Sequence, residues 1–449
     1  MKSDRKVQDI ASVKSRTLRL LGEGSWVAGG QIVSLVGALV LVRVLTEYLT
    51  PAEYGQLALA LTAVGLINQV ALGGISAGAG RFYSIAKEKD DIAGYFRATR
   101  YLLLVAIGLI AVFTLATLSV MTLSSLHQWI ALALVAVFYS VLAGTNSVLN
   151  NIQNAARQRS VVALHGGMDA WLKIGFAILI ITVLGAQSSF VVLAFAGSSF
   201  VVILSQLVFL RKLEPEVFSV QAEHLPLDWE TQIWSFSWPF TAWGLFTWVQ
   251  QASDRWALEY FTGMSEVGQY AALFQLGYAP IGVLTGYSVT LIGPILYQRS
   301  GSAENLASNY SVHRLAWKMF YLALALTVGG FIFTAIMHEW LFAWLVAEDF
   351  RSNSNLLCWF VLAGGVFAAG QILSLKLLSE LRSQTMITMK VVSALLGLFA
   401  NVIGAAYFGL IGIIAALQFF SLVFVAWVVF LARNLPNDSE TNRSAGLEA

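Results

Sequence analysis

Residues 43–58 read RVLTEYLTPAEYGQLA, and residues 255–271 read RWALEYFTGMSEVGQYA. The second stretch repeats the first at a shift of 212–213 residues, and eight identities fall in register once a single residue is inserted. The preceding pair Ser25-Trp26 also matches Ser237-Trp238. The chain is therefore predicted to contain two copies of one unit, and this duplication decides how its helices are arranged.

The two copies lie in a chain that is too apolar to cover a water-facing surface. Its 449 residues are 57% hydrophobic and only 12% charged, whereas a soluble domain is about 25% charged. A helix of about 20 apolar residues crosses the roughly 30 Å core of a bilayer. Such stretches lie at 23–46, 54–80, 98–123, 128–149, 161–185, 188–210, 232–260, 266–296, 314–337, 355–379, 386–408 and 410–432. The predicted fold class is all-α, a polytopic membrane protein with about twelve transmembrane helices.

The basic residues give these spans an orientation. With the N-terminus inside, 23 of the 27 Lys and Arg residues fall on the inner side, and the outer loops carry only Arg351. An excess of basic residues in the inner loops is the rule for membrane proteins. We therefore expect an even number of spans, with the N- and C-termini both in the cytoplasm.

Both copies of the repeat run in the same direction. Parallel repeats predict two pseudo-symmetric six-helix lobes, related by an axis along the membrane normal. The predicted N-lobe covers 1–210, a polar cytoplasmic linker covers 211–230, the C-lobe covers 231–433 and a cytoplasmic tail covers 434–449. Two such lobes are the ordinary architecture of alternating-access transporters.

Two segments carry a resemblance to a known family. The segment RVLTEYLTPAEYGQLALALTAVGLINQVALGGISAGAGRFYS, residues 43–84, is similar to the first two helices of the bacterial polysaccharide and O-antigen flippases. The segment SDRWALEYFTGMSEVGQYAALFQL, residues 253–276, resembles the turn between spans 7 and 8 of the same family. This family belongs to the superfamily that includes the MATE multidrug antiporters and the lipid II flippase. The lipid II flippase usually has fourteen spans rather than twelve.

The resemblance implies a MATE-like fold and a flippase rather than an enzyme. Its cargo would be an undecaprenyl-pyrophosphate-linked oligosaccharide, moved from the inner to the outer leaflet of the bacterial cell membrane for polysaccharide biosynthesis. Its partners would be this lipid-linked oligosaccharide, the membrane lipids and the polymerase or glycosyltransferase machinery, with no nucleic acid. No cofactor or metal is expected. A proton or sodium gradient could drive the cycle, at about 2.3 kcal/mol per charge per 100 mV.

Charged residues inside the predicted spans are candidates for the site because inserting each one costs about 2.5–3.5 kcal/mol. Basic groups suit a pyrophosphate, and arginine can bind it through two parallel hydrogen bonds. The candidates for substrate binding are Arg43, Lys173 and Arg255 within spans, and Arg81 and Lys376 at the cytoplasmic mouth. The candidates for ion coupling are Asp169 and Asp254.

Each candidate has a structural alternative. Lys173 with Asp169, and Arg43 with Glu47, are spaced four residues apart, so each could be a pair that neutralises itself on one helix. Asp254 and Arg255 could be a structural pair shared with span 1 across the pseudo-twofold axis. The two residues at the mouth also fit inner-side anchoring. Because the carboxylates within spans match or outnumber the basic groups, a MATE-type drug or cation antiporter remains the alternative function. A third reading, a membrane scaffold for a polysaccharide synthase, is disfavoured by the duplicated lobes.

Overall fold

A computed structural model describes residues 2–215, 228–300, 306–379 and 383–433. These ranges are helical almost throughout and contain no β-strand. The predicted all-α fold class is therefore confirmed. The helices are α1 (Lys2–Tyr48), α2 (Pro51–Ile67), α3 (Gly73–Glu88), α4 (Ile92–Thr122), α5 (Ile130–Ala155), α6 (Arg159–Leu184), α7 (Ser188–Leu213), α8 (Trp229–Thr262), α9 (Met264–Gly277), α10 (Ala279–Ser300), α11 (Leu306–Leu345), α12 (Leu357–Ser379) and α13 (Ser383–Arg433).

Nine helical segments within the described ranges are long and apolar enough to cross a membrane. The first six predicted spans each coincide with one of them, and the second span joins α2 to α3 through a π-helical turn, Asn68–Leu72. The last two predicted spans lie on α13, which is broken at Gly409. The seventh and eighth predicted spans lie on α8 to α10, which are not among the nine. The chain is thus a multi-pass membrane protein, and the count of twelve remains a prediction.

The chain divides into two compact units. Unit 1 covers Met1–Trp248 and unit 2 covers Val249–Ala449. The division falls inside α8, whereas the repeat and the polar linker predict a lobe boundary at 211–230. The predicted lobe boundaries remain a prediction, but the first part of α8, residues 229–248, belongs to unit 1 by its packing.

The first part of α8 packs closely on α3. A Cβ atom added at Gly74 would lie 2.5 Å from the Ser237 carbonyl oxygen, and one at Gly78 would lie 2.5 Å from the Ser237 hydroxyl oxygen. Only glycine therefore allows this approach of the two helices. Asp228 accepts a hydrogen bond from the Thr231 backbone at the start of α8. Hydrogen bonds from the Thr231 side chain and backbone hold the pKa of the Asp228 carboxyl below its usual range.

Both ends of the polar linker are attached to the same part of unit 1, the hairpin formed by α3 and α4. At the first end, Glu214 Oε1 accepts a hydrogen bond from the Tyr83 hydroxyl at 2.6 Å and lies 3.0 Å from Lys87 Nζ. At the second end, Trp229 Nε1 donates to Asp91 Oδ2 at 2.7 Å. Trp229 is 1% exposed, so this hydrogen bond is buried. The two ends of the linker are thus fixed on one hairpin.

Unit 2 is organised around α12, which packs against α9, α10, α11 and α13. The loop after α11 carries Arg351, whose Nη2 donates to the carbonyl oxygens of Ala343 and Val346, both at 3.2 Å. These carbonyls end α11, where a positive charge is stabilising. The one basic residue predicted for the outer loops therefore has a structural role as a helix cap.

Candidate functional site

The repeated segment has a specific structural role in unit 1. Glu53 lies in the first turn of α2, and its Oε2 accepts a hydrogen bond from the Ser188 backbone N–H at 2.7 Å. Gln56 Oε1 accepts another from the Ser188 hydroxyl at 2.9 Å. Because Ser188 begins α7, the Glu and Gln of the first copy hold the start of the last predicted span of the N-lobe.

The second copy repeats the position of the glutamate in unit 2, whereas its glutamine has a different partner. Glu266 lies in the first turn of α9, and its Oε2 would be 3.3 Å from a Cβ added at Gly409. Gly409 is the break in α13 after which the last predicted span begins, and its φ of +55° favours glycine. Gln269 accepts a hydrogen bond from the Asn353 side chain. The glutamates of both copies therefore lie at the start of the last predicted span of their half.

Arg43 forms an ion pair on its own helix. Its Nη2 lies 2.9 Å from Glu47 Oε2, and the two side chains are 37% and 55% exposed. The Arg43 Nη1 atom is buried and has no hydrogen-bond partner among the described residues. The pair foreseen as the structural alternative therefore exists, and the role of Arg43 in substrate binding remains a prediction.

Lys173 is enclosed by its own unit. Its Nζ lies 2.5 Å from Asp169 Oδ2 and 5.7 Å from the ring centroids of both Tyr139 and Phe195. The Ser198 hydroxyl donates to Asp169 Oδ1 at 3.3 Å. The ammonium group is thus surrounded by a carboxylate and two aromatic faces from α5, α6 and α7, all of which stabilise a cation. This geometry favours a self-contained pair over a phosphate contact.

Asp254 is the most buried carboxylate among the candidates. Asp254 is 5% exposed. Its Oδ2 accepts a short hydrogen bond from the Tyr270 hydroxyl, and its Oδ1 accepts one from the Arg255 backbone N–H at 2.7 Å. The neighbouring Ser253 hydroxyl accepts a hydrogen bond from the Asn401 side chain at 2.9 Å. Asp254 is therefore fixed between α8 and α9 by two donors.

Arg255 lies against an aromatic face, and only part of its guanidinium group is hydrogen-bonded to described residues. The guanidinium carbon is 4.6 Å from the Phe274 ring centroid. Its Nη1 donates to the Gln251 carbonyl at 2.9 Å and lies 3.4 Å from Asp254 Oδ1. No described residue accepts a hydrogen bond from Nε or Nη2. An arginine that is stacked and oriented in this way, with two further donor nitrogens, is suited to bind an oxyanion in bidentate geometry.

The two residues predicted at the cytoplasmic mouth differ in environment. Lys376 is 5% exposed, and its Nζ donates to the Ala432 carbonyl at 2.9 Å. Arg81 is an exposed side chain on α3. Lys376 and Arg255 are not brought together. Tyr270, beside Asp254, packs on Phe360, and Lys376 follows Phe360 on α12 by about 24 Å at roughly 1.5 Å per residue.

The sequence analysis did not identify the aromatic residues that flank Asp254 and Arg255. Tyr270 and Phe274 on α9, and Tyr278 directly after it, follow one another at four-residue spacing, and the last two stack with centroids 4.8 Å apart. That spacing was the available signal, because it places the three rings on one helix face. Within the described ranges, no cluster of His, Cys, Asp and Glu side chains could hold a metal ion.

Solved structures of very low sequence identity share this fold. The lipid II flippase MurJ in an inward closed conformation matches with a TM-score of 0.68 and 13% identity, over 93% of this chain and 88% of that one. A mutant of the Vibrio cholerae MATE transporter VcmN matches with a TM-score of 0.63 and 14% identity, over 94% and 97%. An inward-facing multidrug resistance MATE family transporter of the MOP superfamily matches with a TM-score of 0.57 and 14% identity, over 90% and 94%. The chain therefore shares the fold of these three proteins.

The family itself follows from the sequence match. The family described as "Polysaccharide biosynthesis protein" matches residues 20–300, which is more than half of the chain. The chain belongs to this family, and the predicted resemblance is confirmed. A comparison with curated proteins finds no match. Of the structural neighbours, one is described as a flippase and the others as transporters.

Proposed function

We propose that this chain flips an undecaprenyl-pyrophosphate-linked oligosaccharide from the inner to the outer leaflet of the bacterial cell membrane. The polysaccharide biosynthesis family and the transporter fold support a flippase in this pathway. The observation that carries the choice of cargo is the Arg255 site. It places an oriented arginine, with N–H donors to spare, in a predicted span of unit 2.

The pyrophosphate is the costly part of the cargo. An unpaired anion loses its hydration in hydrocarbon, at a cost far above that of a neutral polar group. Arg255 would offset this cost through Nε and Nη2 while Phe274 and the Gln251 carbonyl keep the guanidinium in place. The prenyl tail would remain in the lipid, and alternating access would carry the head group across.

Asp254 supplies a way to couple the cycle to a proton. As a carboxylate, Asp254 attracts Arg255 through Oδ1 and accepts the Tyr270 hydroxyl through Oδ2. A proton on Asp254 would remove the negative charge beside Arg255 and strengthen the attraction of Arg255 for the pyrophosphate. Release of that proton would weaken it again. A proton gradient would then alternate the affinity of the site, whereas Asp169, which already pairs with Lys173, is the weaker candidate.

Export of surface polysaccharide tests the proposal. Arg255→Ala, expressed in a strain that lacks the chromosomal gene, should lower surface polysaccharide at least tenfold. Arg255→Lys should restore only part of the lost polysaccharide, because lysine cannot bind phosphate in bidentate geometry. The matched control is Arg100→Ala, an exposed basic residue on α4, which should export normally. Normal export from Arg255→Ala at normal protein abundance would remove Arg255 from the site.

One observation favours a cation antiporter as the second candidate. Among the described residues, each candidate basic group within a span lies beside a carboxylate: Arg43 by Glu47, Lys173 by Asp169 and Arg255 by Asp254. Buried carboxylates are what an organic cation would need. Resistance to cationic drugs in a sensitive strain, lost on Asp254→Asn and retained on Arg255→Ala, would support the antiporter instead.

A further inference from the structure

Unit 2 carries a basic cluster, separate from the Arg255 site, at the end that is predicted to face the cytoplasm. This cluster, the Trp317 patch, consists of Arg314, Trp317, Lys318 and Tyr321 on α11 and Arg433 at the end of α13. The Arg433 guanidinium lies 5.6 Å from the Trp317 ring centroid, and Trp317 stacks on Tyr321 at 5.7 Å. Tyr321 is 56% exposed, and the three basic side chains are exposed as well. The patch therefore presents three cations and two aromatic rings on one surface.

The Trp317 patch lies directly above a buried hydrophobic cluster. Behind it, Ala316 and Phe320 of α11 pack into a buried cluster with Leu373 of α12 and Val428 of α13. Lys376 donates to the carbonyl of Ala432, the residue before Arg433. The ends of α11, α12 and α13 are thus joined beneath the patch, so the helix positions that carry its charges are fixed relative to one another.

Among the residues that the structure describes, the acidic side chains of unit 2 are distant from the Trp317 patch. The acidic residues among the described residues of unit 2 are Asp254, Glu259, Glu266, Glu339, Glu348 and Asp349. Glu339 follows Trp317 on α11 by about 33 Å at roughly 1.5 Å per residue. Glu266 lies beside Gly409, which precedes Arg433 on α13 by a similar length. No carboxylate of the described ranges forms an ion pair with the patch.

We infer that the Trp317 patch binds the phosphate head group of an anionic phospholipid of the inner leaflet, as a resident lipid rather than as cargo. Clusters of basic residues at the cytoplasmic ends of transmembrane helices recognise anionic lipid head groups. Tryptophan and tyrosine lie at head-group depth, and arginine binds phosphate oxygens through paired hydrogen bonds. The inference requires that unit 2 spans the membrane with this end at the cytoplasmic face, and it is independent of the proposed function.

Lipid binding to the purified protein tests the inference. Native mass spectrometry of the full chain in detergent would compare phosphatidylglycerol with phosphatidylcholine as added lipid. The wild type should retain phosphatidylglycerol preferentially. The double variant Arg314→Gln/Arg433→Gln should bind it about 30-fold more weakly, because each basic group that contacts the bound head group contributes roughly a fivefold factor. Trp317→Leu, which keeps all three charges, should weaken binding severalfold.

The matched control is the double variant Arg97→Gln/Arg100→Gln, which removes two exposed basic residues from α4 of unit 1. It should bind phosphatidylglycerol as the wild type does. An equal loss in this control would mean that net charge alone attracts the lipid, and would overturn the inference. It would also be overturned if phosphatidylcholine, or soluble glycerol phosphate at millimolar concentration, bound as well as phosphatidylglycerol. The melting temperature without lipid shows whether each variant is folded.

Discussion

Replacing Gly74 by alanine should destabilise the protein by about 1–3 kcal/mol, which is the usual cost of overpacking a close contact. The new Cβ would lie 2.5 Å from the Ser237 carbonyl oxygen, whereas ordinary contact begins at 3.4 Å. The obstacle is backbone, so no flexible side chain can move aside. To fit the methyl group, α3 and the first part of α8 must separate by roughly 0.9 Å.

The size of the effect follows from that separation. A radial gap of about 0.5–1 Å already forfeits a quarter to a half of each van der Waals contact across an interface. The contacts between α3 and α8 include Gly78, whose added Cβ would lie 2.9 Å from Ile233 Cγ2. Many such contacts weaken together, although the buried Trp229–Asp91 hydrogen bond at the start of α8 should survive.

Thermal unfolding of the purified protein measures this change. The matched control is Gly175→Ala, also within a helix of unit 1, where an added Cβ would meet no atom within 4 Å. Gly175→Ala should leave the melting temperature unchanged or raise it, because alanine favours helices over glycine by about 1 kcal/mol. If Gly74→Ala were as stable as Gly175→Ala, residues 229–248 would not pack on α3 as described.

Two further substitutions test contacts elsewhere in the chain. Gly409→Ala should cost about 1–3 kcal/mol, because a φ of +55° with a ψ of −132° is strained for any residue with a side chain. Gly282→Ala, in open space on α10, is its control, and equal melting temperatures would contradict the break in α13. Trp229→Phe should cost about 1.5–3 kcal/mol, because the buried Asp91 carboxylate loses a donor while the ring packing is kept. Trp344→Phe, at a side chain 68% exposed, should cost little, and an equal loss would refute the role of the hydrogen bond.

Hydrophobicity and the repeat predicted much of the fold. Long apolar stretches have few alternatives in lipid, because every backbone group must be paired within the helix, and this is why the first six predicted spans match helices. The spans that carry the candidate site are harder to identify. Residues such as Asp254, Arg255 and Gln251 lower the apolar content of α8, so composition alone does not mark it as a span. The packing that divides α8 between two units also leaves no pattern in its own sequence.

The candidate site was predictable in its charges and not in its contacts. The cost of inserting charge singles out Lys173 and Arg255, but their partners differ for reasons that depend on tertiary packing. Tyr139 and Phe195 close around Lys173 from two neighbouring helices. Phe274 packs on one face of the Arg255 guanidinium and leaves its Nε and Nη2 edge uncovered. The structure was therefore needed to distinguish a cation that is enclosed by its own neighbours, Lys173, from one whose donor nitrogens are only partly hydrogen-bonded, Arg255.

The packing of residues 229–248 has a consequence for how the protein can be dissected or recombined. The gene duplication placed this segment at the head of the second copy, yet its glycine-lined partner surface on α3 belongs to the first. A fragment that stops at the end of α7 would leave Gly74 and Gly78 facing lipid or solvent. Chimaeras that exchange halves between relatives should therefore transfer the beginning of α8 together with α1 to α7. Otherwise the packed surfaces of α3 and α8 will come from different parent proteins.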